Sequence, residues 1–190
     1  VTFLEGVSYR RPTPAHCGAL GATLAGLHDA GKGFTLSREN ALSVSGWRPL
    51  AEQAGDRADE IAPGLAVAIR NELADLEMHW PRTLPTGIIH ADLFPNNTLF
   101  VGDQLSGVID FYFAAKDAFA YDLAICLNAW CFESDFSFNM TKGRALIAGY
   151  RAKRALNRAE IEALPVLCRG AALRFLLTRL VDWLNVPPGA

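Results

Sequence analysis

"GIIHADLFPNNTLFVGDQLSGVIDFYFA", residues 87–114, decides how this chain reads. It sets a histidine (His90), an aspartate two residues on (Asp92), an asparagine five further (Asn97) and a second aspartate (Asp110) after an apolar run. Carboxylates and amides among β-forming residues are costly to bury unless something binds them. "GII" and "NTLFV" read as short strands, "GDQ" (102–104) as a turn and "LSGVIDF" as the return strand. Residues 98–110 are therefore expected to form a β-hairpin fed by the loop "HADLFPNN". Antiparallel pairing through a turn near Asp103 would bring Asn97 and Asp110 together, and Asp92 begins the tight loop that ends at Asn97. Hard oxygen donors without Cys or His to complete a shell suit magnesium, which keeps waters and shares its coordination with phosphates.

Phosphoryl transfer calls for these parts. An aspartate orients the attacking hydroxyl, and an amide oxygen and a carboxylate hold the metal ions that bridge the phosphates. The order Asp92, Asn97, Asp110 follows the protein-kinase pattern of a catalytic-loop aspartate, an asparagine five residues later and a metal-binding aspartate on the next hairpin. Taken singly, each has a plainer reading. His90 is expected to support the loop by bonding nearby backbone, Asn96 to serve the turn, and Asp122 to cap its helix and anchor the loop.

"IIHADLFPNN" and "GVIDF" resemble the catalytic and metal motifs of the aminoglycoside phosphotransferase and choline kinase superfamily, with Ala91 where those enzymes often carry glycine. "FLEG", "PTPAHCGALGATLAGLHDAG", "IDFYFAAKDAFAYDLAICLNAWCFE" and "ALRFLLTRLVDWLN" are similar to its bacterial homoserine kinase branch. The resemblance runs from the first residue to the last. It implies an α+β fold: the mostly helical C-terminal lobe of a protein-kinase-like enzyme, with a small hairpin carrying the site. It implies Mg2+, ATP as co-substrate and L-homoserine as acceptor, in threonine biosynthesis. It assigns Asp92 as catalytic base or hydroxyl-orienting residue, Asn97 and Asp110 as metal and nucleotide-phosphate ligands, and His90 and Asp122 as structural support. Asn128, Trp130, Glu133, Arg174 and Arg179 lie in segments that could face the acceptor. Arg174 and Arg179, five apart on one helix, do not share a face. The superfamily's N-terminal lobe, with its glycine-rich loop and phosphate-binding lysine, has no counterpart here. Residues 1–6 are expected to be the last strand of that lobe running into the hinge, and residues 7–190 the C-terminal lobe. The chain then reads as a fragment that needs the N-terminal lobe in cis and turns over poorly alone. A sibling enzyme acting on an aminoglycoside, choline or a sugar shares every motif residue, and a non-catalytic nucleotide-binding module is the rival of a different class.

Length and composition agree with one globular unit: 190 residues, 51% hydrophobic. A formal charge of −2 argues against a nucleic-acid-binding face. Arginines break the longest apolar stretches, so none reads as a membrane span. The four cysteines, Cys17, Cys126, Cys131 and Cys168, form no Cys-x-x-Cys pair and read as buried free thiols of a cytoplasmic protein. Around the hairpin, helices are expected over 14–30 (Thr13 cap, Pro14 first, Gly31 ending it), from about 59 to 79, over 122–133, over 141–154 capped by Thr141, and in two parts over 158–185 restarted by Pro165, the last apolar on nearly all sides and so expected to be buried. Residues 32–56 read as loop, and Gly18 and Gly21 as positions of close helix packing.

Overall fold

A computed structural model describes residues 3–186, which fold as two units, residues 3–40 with 83–164 and residues 41–82 with 165–186. The first unit opens on α1 (Pro14–Ala30), whose boundaries follow from its end residues. Thr13 accepts from the backbone N–H of His16, and His16 Nδ1 in turn accepts from the N–H of Thr13, which closes a reciprocal cap. Pro14 takes the first helical position, where its missing N–H costs nothing. Cys17, Leu20, Leu24 and His28 lie four or fewer residues apart on one buried stripe.

That stripe packs close to α5 (Met140–Arg151), and glycines allow the approach. A Cβ at Gly21 would lie 2.1 Å from the carbonyl oxygen of Leu146, and one at Gly149 would lie 2.0 Å from that of Gly18. Gly21 thus permits the close helix contact that its spacing suggested. The cap of α5 differs from expectation. Asn139, not Thr141, supplies it, with Oδ1 accepting from the N–H groups of Thr141 and Lys142 at 3.0 and 3.1 Å.

Two small antiparallel sheets sit in the same unit. In one, β1 (Thr86–Ile89) pairs with β4 (Ala115–Ala118), with Ile89 opposite Ala115. The polar "AKDA" of β4 carries no apolar period, and its pairing went unread. In the other, β2 (Thr98–Val101) and β3 (Gln104–Val108) form the expected hairpin, with Thr98 opposite Val108 and a bulge between Leu99 and Phe100. Two 3-10 turns link the sheets, Pro95–Asn97 between β1 and β2 and Phe111–Phe113 between β3 and β4. The expected strand at residues 1–6 falls partly outside the described residues, and residues 3–6 are not regular strand. Pairing begins at Val7, which exchanges two backbone bonds of 3.0 Å with Phe100.

From β4 the chain enters α4 (Phe119–Trp130), buried almost throughout. It starts three residues earlier than the sequence suggested, so Asp122 stands in its first turn rather than at its cap. α6 (Arg158–Leu184) is one helix rather than two, with an exposed Pro165 inside it. Nor is it buried on all sides: Arg158, Glu162, Arg169, Leu176 and Trp183 are exposed. Its start is closed by Asn157 and Glu160, which bond each other's backbone N–H at 3.0 and 2.9 Å.

In the second unit, α2 (Val44–Ala54) occupies part of what read as loop. Trp47 anchors it, with its ring buried, its indole N–H donating to the carbonyl of Leu42 at 2.8 Å and its ring edge-on to Trp80. α3 (Leu65–His79) starts later than predicted, because Pro63 and Gly64 precede it and a 3-10 turn takes residues 55–60. Arg169 of α6 reaches Glu72 and Asp75 of α3. All four cysteines are free thiols. Among the described residues no helix is long and apolar enough to cross a membrane.

Candidate active site

The two sheets bring the motif residues together. Pairing of Ile89 with Ala115 puts the start of the loop 90–97 at the same sheet end as the turn after Asp110. The hairpin register places Asn97 beside Ile109, whose N–H donates to the carbonyl of Asn97 at 3.0 Å. Asp110 is the next residue. Asp92 and Asn97 touch directly: the Asn97 amide donates to the Asp92 carbonyl at 2.8 Å and to its carboxylate at 3.3 Å. That commits the Asn97 nitrogen to Asp92 and leaves the amide oxygen uncommitted to that residue. Asn97 is buried, Asp92 half-buried and Asp110 exposed, so the site is an open face whose floor is the amide.

Two residues here hold left-handed backbone without being glycine, Ala91 at φ 63° and Asp110 at φ 63°. Such conformations cost about 1–3 kcal/mol each and persist only where surroundings enforce them. At Ala91 the enforcing group is Asp122. Its carboxylate is fully buried and accepts from two successive N–H groups, His90 and Ala91, each at 2.8 Å. Its Oδ2 also accepts from His28 Nε2 at 3.0 Å. Burial, the largest single effect, pushes the pKa of Asp122 up. The hydrogen bond and charge of His28, with the N–H of His90, outweigh it, and the carboxyl stays below its usual range. Asp122 therefore anchors the loop as expected, but it does not cap its own helix.

His90 ties the two halves of the site. Its Nε2–H donates to the carbonyl of Ile109 at 3.1 Å and its Nδ1 accepts from the N–H of Asp92 at 3.2 Å, so one neutral tautomer satisfies both. Its ring lies 4.7 Å from that of Phe111. The imidazole thus locks the residue before Asp110 to the backbone of Asp92.

Of the proposed acceptor contacts, Asn128 is half-buried on α4. Trp130 is a core residue instead of a contact surface: it is 1% exposed and its indole N–H is spent on the carbonyl of Leu93 at 2.8 Å. Glu133 lies exposed in the loop after α4, where Lys142 and Asn139 hold it and lower its pKa. Arg174 is buried in the second unit, its guanidinium 4.2 Å from the ring of Phe175, while Arg179 is exposed. The sequence reading passed over His28, which continues the Leu20–Leu24 stripe by one more i+4 step and would have been found there. Its Nδ1 lies 2.7 Å from the hydroxyl of Tyr150, and Arg154 donates to that hydroxyl at 3.3 Å.

Among the described residues no group of three or more His, Cys, Asp or Glu stands close enough to hold a metal alone. What the chain offers is one amide oxygen and one exposed carboxylate beside Asp92. That donor set fits Mg2+, which takes few protein oxygens and completes its octahedron with water and phosphate.

Residues 1–156 match the phosphotransferase enzyme family. Homoserine kinase of Azorhizobium caulinodans is 68% identical over 190 residues, which is all of this chain and 59% of that protein. Homoserine kinase of Methylobacterium sp. (strain 4-46) is 66% identical over the same span and the same share. The chain thus spans about three fifths of the length of the curated relatives it matches. Among solved structures, Plasmodium vivax ethanolamine kinase superposes with a TM-score of 0.70 at 18% identity, covering 97% of this chain and 59% of that one. A type VIII aminoglycoside-3'-phosphotransferase superposes with a TM-score of 0.65 at 23% identity, covering 88% and 66%. At those identities the likeness is one of fold.

Proposed function

The chain belongs to the phosphotransferase enzyme family, and from that premise we propose that the protein carrying it transfers the γ-phosphoryl group of ATP to the side-chain hydroxyl of L-homoserine. The observation that carries the chemistry is the joining of Asp92, Asn97 and Asp110 at one end of the hairpin. The likeness to homoserine kinases over the whole chain carries the choice of acceptor. In this reading residues 7–190 are the lobe that bears the catalytic aspartate and the metal ligands.

Asn97, through its amide oxygen, and Asp110 would hold magnesium, which when bound would supply positive charge to offset the charge developing on the phosphates. The chain's own residues do the rest. Asp92 aligns the acceptor hydroxyl and takes its proton as the bond to phosphorus forms. The Asn97 amide steers the Asp92 carboxylate, since its nitrogen bonds that side chain at 3.3 Å while its oxygen would be the group offered to a cation. His90 and Asp122 hold the loop in its left-handed turn, so the geometry is built before substrate arrives. Such positioning supplies much of the rate in reactions of this class.

The test is a panel of L-homoserine, choline and an aminoglycoside on the full-length protein, with Asp92→Ala alongside. The expected result is phosphorylation of L-homoserine at a kcat/KM well above the others, and a loss of about 100-fold or more in Asp92→Ala. Near-normal turnover by Asp92→Ala would refute the role of Asp92, and preference for another alcohol would refute the acceptor.

A further inference from the structure

We infer that Arg38, outside the catalytic and metal motifs and far from them in sequence, is a positioning residue for the metal ligand Asp110. The inference rests on the reading of Asp110 as a ligand given above. Asp110 sits at φ 63°, ψ 63° and leads directly into the single turn Phe111–Phe113. That turn is packed on one side, where the Phe111 ring lies 4.7 Å from that of His90, and its three aromatic residues are still 50, 72 and 37% exposed. Its internal bonds are the Ala114 N–H to the Phe111 carbonyl and a long 3.4 Å bond from the Tyr112 N–H to Asp110 Oδ1. The second draws on the very carboxylate that the cation needs. Left to itself, so short and open a turn would relax and take the strained Asp110 with it.

Arg38 opposes this. Its Nε and Nη2 donate to the carbonyl of Ala114 at 3.1 and 2.8 Å, and Nη2 also donates to the carbonyl of Tyr112. The planar guanidinium thereby clamps two carbonyls of the turn at once, a task for which its fixed fork suits it. The clamp is itself anchored. The N–H of Lys116 donates to the carbonyl of Arg38 at 2.7 Å, Glu39 bridges Lys116 in parallel, and the Asn40 amide donates to the Asp117 carboxylate at 2.8 Å. Residues 38–40 thus run as a strap along β4, and the Arg38 side chain reaches back over the start of that strand. Because the guanidinium bonds only backbone oxygens there, its role is geometric: it fixes where Asp110 points and leaves the chemistry to Asp92.

The experiment uses the full-length protein with Arg38→Ala, Arg38→Lys and Asp110→Asn. Two readouts are taken: the Mg2+ concentration for half-maximal activity at saturating ATP and acceptor, and Mn2+ affinity by electron paramagnetic resonance with a non-hydrolysable ATP analogue. In Arg38→Ala both midpoints should rise about 10-fold, the usual cost of losing a group that orients a metal ligand, while saturating Mg2+ restores most of kcat. Arg38→Lys, which keeps the charge but not the fork, should fall between. Midpoints within about twofold of the parent, or a loss of kcat that saturating Mg2+ does not restore, would overturn the assignment. Asp110→Asn separates the two claims. If it abolishes cation binding while both Arg38 variants behave as the parent, only the role of Arg38 fails. If it leaves cation affinity intact, Asp110 is not a ligand and the positioning role falls with it.

Discussion

Replacing Asp122 probes what holds the candidate site in shape. Its carboxylate is fully buried and accepts three hydrogen bonds, from the His90 and Ala91 N–H groups at 2.8 Å and from His28 at 3.0 Å. Asp122→Ala leaves three buried donors with no acceptor and opens a small void. Each buried donor so abandoned costs about 1–3 kcal/mol, and partial relaxation of the loop recovers some of it, so a net loss of about 3–5 kcal/mol is expected. Asp122→Asn is gentler, because one oxygen survives and only one N–H meets an opposing NH2. About 2–3 kcal/mol should go. Against a total stability of about 5–15 kcal/mol, either variant can still fold. Urea titration followed by far-ultraviolet circular dichroism gives both differences, and a kinase assay should show activity falling further than stability, since Ala91 would be free to leave its left-handed turn. A loss below about 1 kcal/mol in Asp122→Ala would mean that the three donors find other partners, and the anchoring argument would fail. The same carboxyl has an acid signature. Its folded pKa lies below the unfolded value of about 3.9, so the unfolded chain binds the proton first and stability rises with pH across that range. The contribution is complete above about pH 4 and is lost as pH falls through the folded value. Asp122→Asn should flatten that part of the acid limb.

Other expectations follow from single contacts. Gly21→Ala places a methyl 2.1 Å from the backbone carbonyl of Leu146, and since neither helix can yield locally, about 2–3 kcal/mol of destabilisation is expected by thermal or urea unfolding. Trp130→Phe removes the 2.8 Å bond to the Leu93 carbonyl in the loop 90–97. It should cost about 1–3 kcal/mol and leave the KM for the acceptor unchanged, whereas a raised KM would restore Trp130 as a substrate contact.

Much of this was legible from residue types alone. Thr13, Pro14 and Gly31 mark the ends of α1 because capping and breaking are local physics, decided within four residues of chain. The β2–β3 hairpin could be read for the same reason: its two short apolar runs meet across a turn of two residues. From that register the backbone pairing of Asn97 with Ile109, the residue before Asp110, followed without coordinates. The misreadings share another cause. β4 is polar and exists because β1, 26 or more residues earlier in the chain, lends it a partner. α6 continues through Pro165 although local propensity would have broken it. Trp130 is taken out of the acceptor contacts by Leu93, 37 residues away, whose carbonyl accepts its N–H.

The proposed site, then, was written in short spacings, since the loop 90–97 and the hairpin are both local objects whose residues can be placed from the backbone period. The support of that site was not. His28, Arg38 and Tyr150 come from distant parts of the chain, and nothing in their neighbours' identity announces that His28 will bond Asp122 or that Arg38 will clamp the turn at Tyr112. Hydrogen bonds between remote segments depend on how helices and strands pack, and that packing is set by many weak contacts acting together rather than by any one stretch of residues.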